Sequence, residues 1–110
     1  MSTQKIGLIQ TTAGDDLDRN LEHTLALAKR AIAEGARILC LQELYRTPYF
    51  PQYEDRDASN FAETIPGTST EAFSALAREH GVVIVVPLYE RTASGEFYNT
   101  AVVIDADGQL

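Results

Sequence analysis

The sequence is short of the residues on which most protein chemistry depends. Its 110 residues include one cysteine, one methionine, two histidines and no tryptophan. Cys40 alone can make neither an internal disulfide nor a thiolate cluster. His23 and His80 lie far apart, with no neighbouring cysteine or second histidine to complete a ligand set, so no metal site is expected. Both histidines read as structural; His80, at a helix end, would meet the negative end of the dipole. Basic residues are also scarce. Nine Lys and Arg stand against 16 Asp and Glu, a net charge of -7, which argues against a nucleic-acid partner, since phosphate binding needs a basic patch, and disfavours an anionic membrane surface. Apolar runs reach about seven residues, far below the ~18 of a spanning helix. The opening MSTQKIGLIQTTAGDD has no charged start leading into a long apolar stretch, so no leader is expected. Gly7 and Gly14 do not form a dinucleotide loop, and no Gly-Lys-Ser/Thr phosphate loop occurs. What remains is one soluble, acidic, cytoplasmic domain with a small core.

The residues present alternate between two periodicities. KIGLIQ (5–10) is a short apolar run without strict alternation, the pattern of a strand covered on both faces. In DDLDRNLEHTLALAKRAIAEG, the positions Leu17, Leu21, Leu25, Ala28 and Ile32 form one helical stripe, which Asp15 or Asp16 can cap and Gly35 can stop. RILCLQ (37–42) is a second buried strand, and strand–helix–strand is a right-handed crossover that opens an α/β sheet. A loop from Leu44 to Gly67 follows. Loops of this length are usually functional or disordered, and the five aromatics here (Tyr45, Tyr49, Phe50, Tyr53, Phe61) oppose disorder. A helix is predicted in GTSTEAFSALAREHG, with Thr68 and Glu71 as a capping box and Phe73, Leu76, Ala77 and His80 along one side. VVIVVPLYE and FYNTAVVIDADGQL then read as two strands of an antiparallel hairpin. No internal repeat or low-complexity segment interrupts this order.

Ligand sites in open α/β sheets lie beyond the carboxyl ends of the strands. Glu43 stands at such an end, where partial desolvation would suit a carboxylate to general-base work; the plainer reading is a surface acid starting a loop. Cys40, flanked by Leu39 and Leu41 and an odd number of residues from Glu43, reads as core.

Taken in order, LCLQELYRTPYFPQ and HGVVIVVPLYERTASGEFYNTAVVIDADGQL resemble the N-terminal part of the nitrilase superfamily, the carbon–nitrogen hydrolases. Within it the resemblance is to N-carbamoylputrescine amidases and related N-carbamoyl hydrolases, enzymes of polyamine metabolism. It extends over essentially the whole chain, including the KIGLIQ strand. It implies a four-layer αββα sandwich, of which residues 1–110 would be the incomplete N-terminal portion: β-α-β, long loop, α, β-hairpin. It implies a Glu–Lys–Cys triad that hydrolyses an amide or N-carbamoyl amine through a thioester, with no metal or organic cofactor. The glutamate of the QEL motif is the general base, a role that maps onto Glu43. The aromatic loop would wall the pocket, with Tyr49, Phe50 and Glu54 as substrate contacts, although aromatics can equally pack a loop onto its own domain. Glu54, Asp55 and Asp57 would favour a cationic substrate. Glu90 would support the site by hydrogen bonding, with a surface acid as the alternative, and Asn99 reads as structural support, its amide satisfying backbone groups near the site.

The sequence departs from the family in one respect. The family's lysine and cysteine would fall after DADGQL, and Lys5 and Lys29 do not match the motif, so this chain would supply only the glutamate and be inactive alone. Half a sandwich would also expose apolar sheet, so a homo-oligomer is expected. The competing reading is a small doubly wound binding or receiver-like module using Asp15 and Asp16 as an acidic pocket.

Overall fold

The computed structural model describes residues 3–52 and 57–110. Its elements follow the expected order: β1 (Ile6–Ile9), α1 (Leu17–Ala33), β2 (Ile38–Leu41), α2 (Thr68–His80), β3 (Val83–Arg91) and β4 (Phe97–Ile104). They build one sheet in the order β1-β2-β3-β4, parallel through β3, with β4 antiparallel to β3. The closing hairpin breaks the parallel alternation that a doubly wound module needs. Asp16 is used as the cap of α1, its carboxylate accepting from the backbone of Arg19 at 3.2 Å. Among the described residues, no helix is long and apolar enough to cross a membrane.

Both helices lie on one face of the sheet. Leu39, Leu41, Ile84, Val86 and Leu88 point into a shared core with Ala28, Phe73, Leu76 and Ala77. Leu21, Leu25 and Ile32 of the predicted stripe pack partly buried against it. Strand residues alternate between faces, so Ile6, Leu8, Ile38, Cys40, Val83 and Val85 line the other side. There the registered row Leu8–Cys40–Val85–Val103 crosses all four strands, yet Leu8 is 77% and Val103 57% exposed. The expectation that β1 is covered on both faces therefore fails: an apolar run reports what a strand is suited to, and among the described residues no second layer is folded over Leu8. Cys40, read as core, is half-buried on this open face.

The predicted capping box is displaced. Gly67, not Thr68, precedes the first turn of α2, and Thr70 Oγ1 accepts from the Gly67 N–H at 2.7 Å. Thr68 is already helical, which puts Glu71 one position beyond where a box needs it. His80 is exposed beside Glu79 at the helix end, away from the buried stripe. Gly81 ends α2 in a left-handed turn, φ 64°, which a residue without a side chain adopts freely.

The long loop has a closed stem. β2 leaves the sheet at Leu41 while β3 continues to Arg91, which frees the edge of β3 beyond β2. The chain occupies that edge twice. Tyr45 N–H donates to the Pro87 carbonyl at 3.3 Å; on the return, Glu63 N–H donates to Tyr89 at 2.9 Å and its carbonyl accepts from Arg91 at 2.8 Å. Between these points lie two 3-10 turns, Phe50–Gln52 and Ser59–Phe61, the second started by the Asp57 carboxylate accepting from Ser59 N–H at 2.9 Å.

Candidate active site

Glu43 opens the turn that follows β2. The next residue, Leu44, holds a left-handed φ of 50°, uncommon for a side chain of its size. Burial maintains it: Leu44 and Tyr45 are almost fully covered. With these two side chains turned inward, the Glu43 carboxylate is left exposed at the carboxyl ends of the parallel strands.

Asn99 reaches it from β4. Its Nδ2 donates to Glu43 Oε2 at 2.8 Å, joining a turn and a strand that are remote in sequence. An ionised carboxylate only accepts, so the amide must present its NH2, and the bond fixes the carboxylate's orientation. Asn99 stands opposite Tyr89 in the hairpin register, which places the pair on the open face of the sheet. Glu43 also borders an open cleft of about 400 Å³ with Thr11, Thr12, Ala13, Gln42, Thr47 and Tyr49. Gln42 Oε1 accepts from Thr11 N–H at 2.6 Å and ties the ends of β1 and β2 together across its floor. The lining is one carboxylate among hydroxyls and amides. It can accept a proton and offer hydrogen bonds; among the described residues it holds no thiol and no cation.

The other expected site residues divide. Tyr49, half-exposed, shares the cleft with Glu43. Phe50 does not: its ring packs on Tyr89 at 4.7 Å and Phe61 at 6.0 Å, and Tyr89 in turn stacks on Phe97 at 5.6 Å. Glu90 accepts from Thr100 Oγ1 at 2.8 Å and, one residue on from Tyr89, falls on the opposite face of a regular strand from Asn99. Glu54 and Asp55 lie outside the described residues. Asp57 is occupied by Ser59, whose backbone N–H holds its carboxyl below the usual range. Among the described residues, no group of three or more His, Cys, Asp and Glu is placed to hold a metal ion.

Sequence reasoning missed what lies behind the Glu43 turn. Arg46 and Glu63 look like solvated loop charges, yet each is 8% exposed. Arg46 donates to Glu63 at 3.4 Å and to Asp18 at 3.1 Å, and its backbone carbonyl accepts from the buried Asn20 amide at 2.7 Å. The Tyr45 hydroxyl meets Ser69 Oγ at 2.5 Å, and burial pushes its ionisation well above the ordinary tyrosine value. The partners lie on α1, α2 and the loop, remote from one another in sequence, so local pattern carried no signal.

A family model described as carbon-nitrogen hydrolase matches residues 5–110. The omega-amidase NIT2-B of Xenopus laevis is 34% identical over 110 residues, covering 100% of this chain and 38% of that protein. An N-carbamoylputrescine amidase of Solanum lycopersicum is 35% identical over 104 residues, covering 94% of this chain and 34% of that protein. Among solved structures, a carbon-nitrogen hydrolase from Helicobacter pylori G27 superimposes with a TM-score of 0.84 at 31% identity, over 96% of this chain and 36% of the other. Saccharomyces cerevisiae Nit3, from branch 10 of the nitrilase superfamily, gives 0.79 at 26% identity, over 97% and 41%. The chain thus spans about 38% of the length of the first curated relatives it matches.

Proposed function

Since the chain belongs to the carbon-nitrogen hydrolase family, we propose that residues 1–110 form the N-terminal portion of a hydrolase domain and supply the general base, Glu43, for cleavage of a small amide or N-carbamoyl amine. The observation that carries this reading is the 2.8 Å bond from Asn99 to Glu43. It holds a carboxylate at the mouth of a cleft beyond the carboxyl ends of the strands, where α/β sheets bind ligands. The names of the relatives, omega-amidase and N-carbamoylputrescine amidase, fit a substrate carbonyl bonded to nitrogen.

In this reading Glu43 takes the proton of a cysteine thiol as the sulfur attacks the carbonyl carbon, since the thiolate is the effective nucleophile. A lysine stabilises the oxyanion that develops. Collapse to the thioester expels amine or ammonia, which leaves with the proton from Glu43. Glu43 then removes a proton from water as it attacks the thioester, and the thiol departs protonated. In this reading neither the lysine's role nor the cysteine's falls to Lys5, Lys29 or Cys40. Asn99 keeps the base aimed, and Tyr49 forms one wall of the pocket; the part assigned to Glu90 is the weakest, because its hydroxyl partner draws it elsewhere.

Two measurements test this. In the complete enzyme carrying this segment, Glu43→Gln should lower kcat by about 10² to 10⁴ and leave KM nearly unchanged. Purified residues 1–110 should release no ammonia from N-carbamoyl amines or simple amides. Turnover by that chain which disappears in its Glu43→Gln form would overturn the proposal, because a base whose cleft is lined by no thiol among the described residues leaves the acyl-transfer route closed.

A further inference from the structure

Glu43 is exposed, with Asn99 bonded to its carboxylate from β4. Its placement comes from the residues behind it, and these converge on one buried carboxylate. Glu63 Oε1 accepts from the Ser69 N–H at 2.8 Å, and Oε2 accepts from Ser69 Oγ at 2.8 Å and Arg46 Nη1 at 3.4 Å. Ser69 Oγ also meets the Tyr45 hydroxyl. Both residues that follow Leu44 in the turn are therefore anchored through Glu63, one through Ser69 and one directly. A buried ion pair of this kind is weak evidence of stabilisation, since an apolar replacement often serves as well; what it does supply is a fixed geometry.

We propose that Glu63 is a positioning residue for Glu43, acting through Arg46 and through Ser69–Tyr45 to hold the turn that presents the base to Asn99. The inference rests on reading Glu43 as the base. The change Glu63→Gln, which exchanges the carboxylate for an amide, illustrates the dependence. The amide oxygen can still accept from Ser69 N–H, but the NH2 then faces Arg46 Nη1, donor against donor in a buried site, and Ser69 Oγ must turn from donor to acceptor. The Arg46 side chain is left with the Leu17 carbonyl, which accepts from Nε at 3.3 Å, and with Asp18, whose side chain is 88% exposed, and the turn loses its buried ion pair.

The Asn99 side-chain amide is the reporter, because the Glu43 bond links it to this network. In ¹⁵N spectra of the chain, Glu43→Gln defines the position of the Asn99 Nδ2 signals without a carboxylate acceptor. Glu63→Gln should move those signals at least half of the way there, while strand amides toward the other end of the sheet, such as Ile38 and Ile104, stay in place. Ser69→Ala, which keeps the backbone donor and removes only the hydroxyl, should give a smaller shift in the same direction; it decides the matter if Glu63→Gln fails to fold. In the complete enzyme, Glu63→Gln should lower kcat at least tenfold with KM within twofold. Asn99 signals that remain at the wild-type position in a folded variant overturn the inference. Failure of the functional reading looks different: Glu43→Gln would retain turnover whatever Glu63 does.

Discussion

The two faces of the sheet should respond unequally to the same mutation. Leu8 and Leu39 occupy adjacent paired strands and differ in which way they point. Leu39 is fully buried against the helices, whereas Leu8 is 77% exposed. Leu39→Ala removes a packed side chain and leaves a cavity, and should cost about 2 to 5 kcal/mol. Full burial of a leucine is worth roughly 1.5 to 3 kcal/mol. Less than a quarter of Leu8 is covered, so Leu8→Ala should cost about 0.5 kcal/mol. Urea unfolding followed by circular dichroism would give both values. The open face should also drive self-association: a few hundred Å² of apolar surface left in water forgoes on the order of 10 kcal/mol, comparable with a domain's whole stability. Sedimentation velocity across a concentration series should show oligomers for the parent chain and a shift toward monomer for Leu8→Lys. A Leu8→Ala cost above about 2 kcal/mol at a concentration where the chain is monomeric would refute the argument, since it would mean that the chain covers this face itself.

Two further outcomes are expected. Neutralising Glu54 to Gln in the complete enzyme should raise KM for a cationic carbamoyl substrate, more at low salt than at high salt, and leave a neutral analogue unaffected; a change under twofold would reduce the acidic loop to solvation. Stability should fall as pH rises above about 10, the ordinary tyrosine value, because burial raises the Tyr45 pKa in the folded chain. The unfolded state then loses its proton first, so the contribution of Tyr45 is complete below that pH and is lost as pH climbs toward the folded value. Tyr45→Phe should flatten this limb in urea titrations between about pH 8 and 11, at a cost near neutrality of about 1 kcal/mol for the hydrogen bond to Ser69.

Much of the framework was legible because it is local. Helical spacing from Leu17 to Ile32, β-branched runs in β3 and the turn at TASGE each announce an element without reference to the others. Glu43 could be singled out because the end of a strand is a position in sequence as well as in space. The bond from Asn99 could not, since its partner is set by hairpin register and by the left-handed turn at Leu44. Arg46 and Glu63 were invisible for the same reason, as charges in a loop look solvated until the fold buries them together. Strand burial misled in a different way: Leu8 and Cys40 have the composition of covered positions, and composition does not say whether the cover is part of the same chain.

The stem that pins Tyr45 and Glu63 to neighbouring stations on β3 has a consequence for how this segment can change. Because both ends of the stretch 48–62 are fastened, at Tyr45 and Thr47 on one side and Glu63 on the other, the stretch is a cassette, and altering it need not pull on the residues that carry Glu43. Lengthening a loop with fixed ends is inexpensive, about 0.6 kcal/mol for each doubling. Tyr49 rides on that cassette while Glu43 stands outside it. Selection or design can therefore retune what the cleft admits by rewriting the insert, and the base keeps its place throughout.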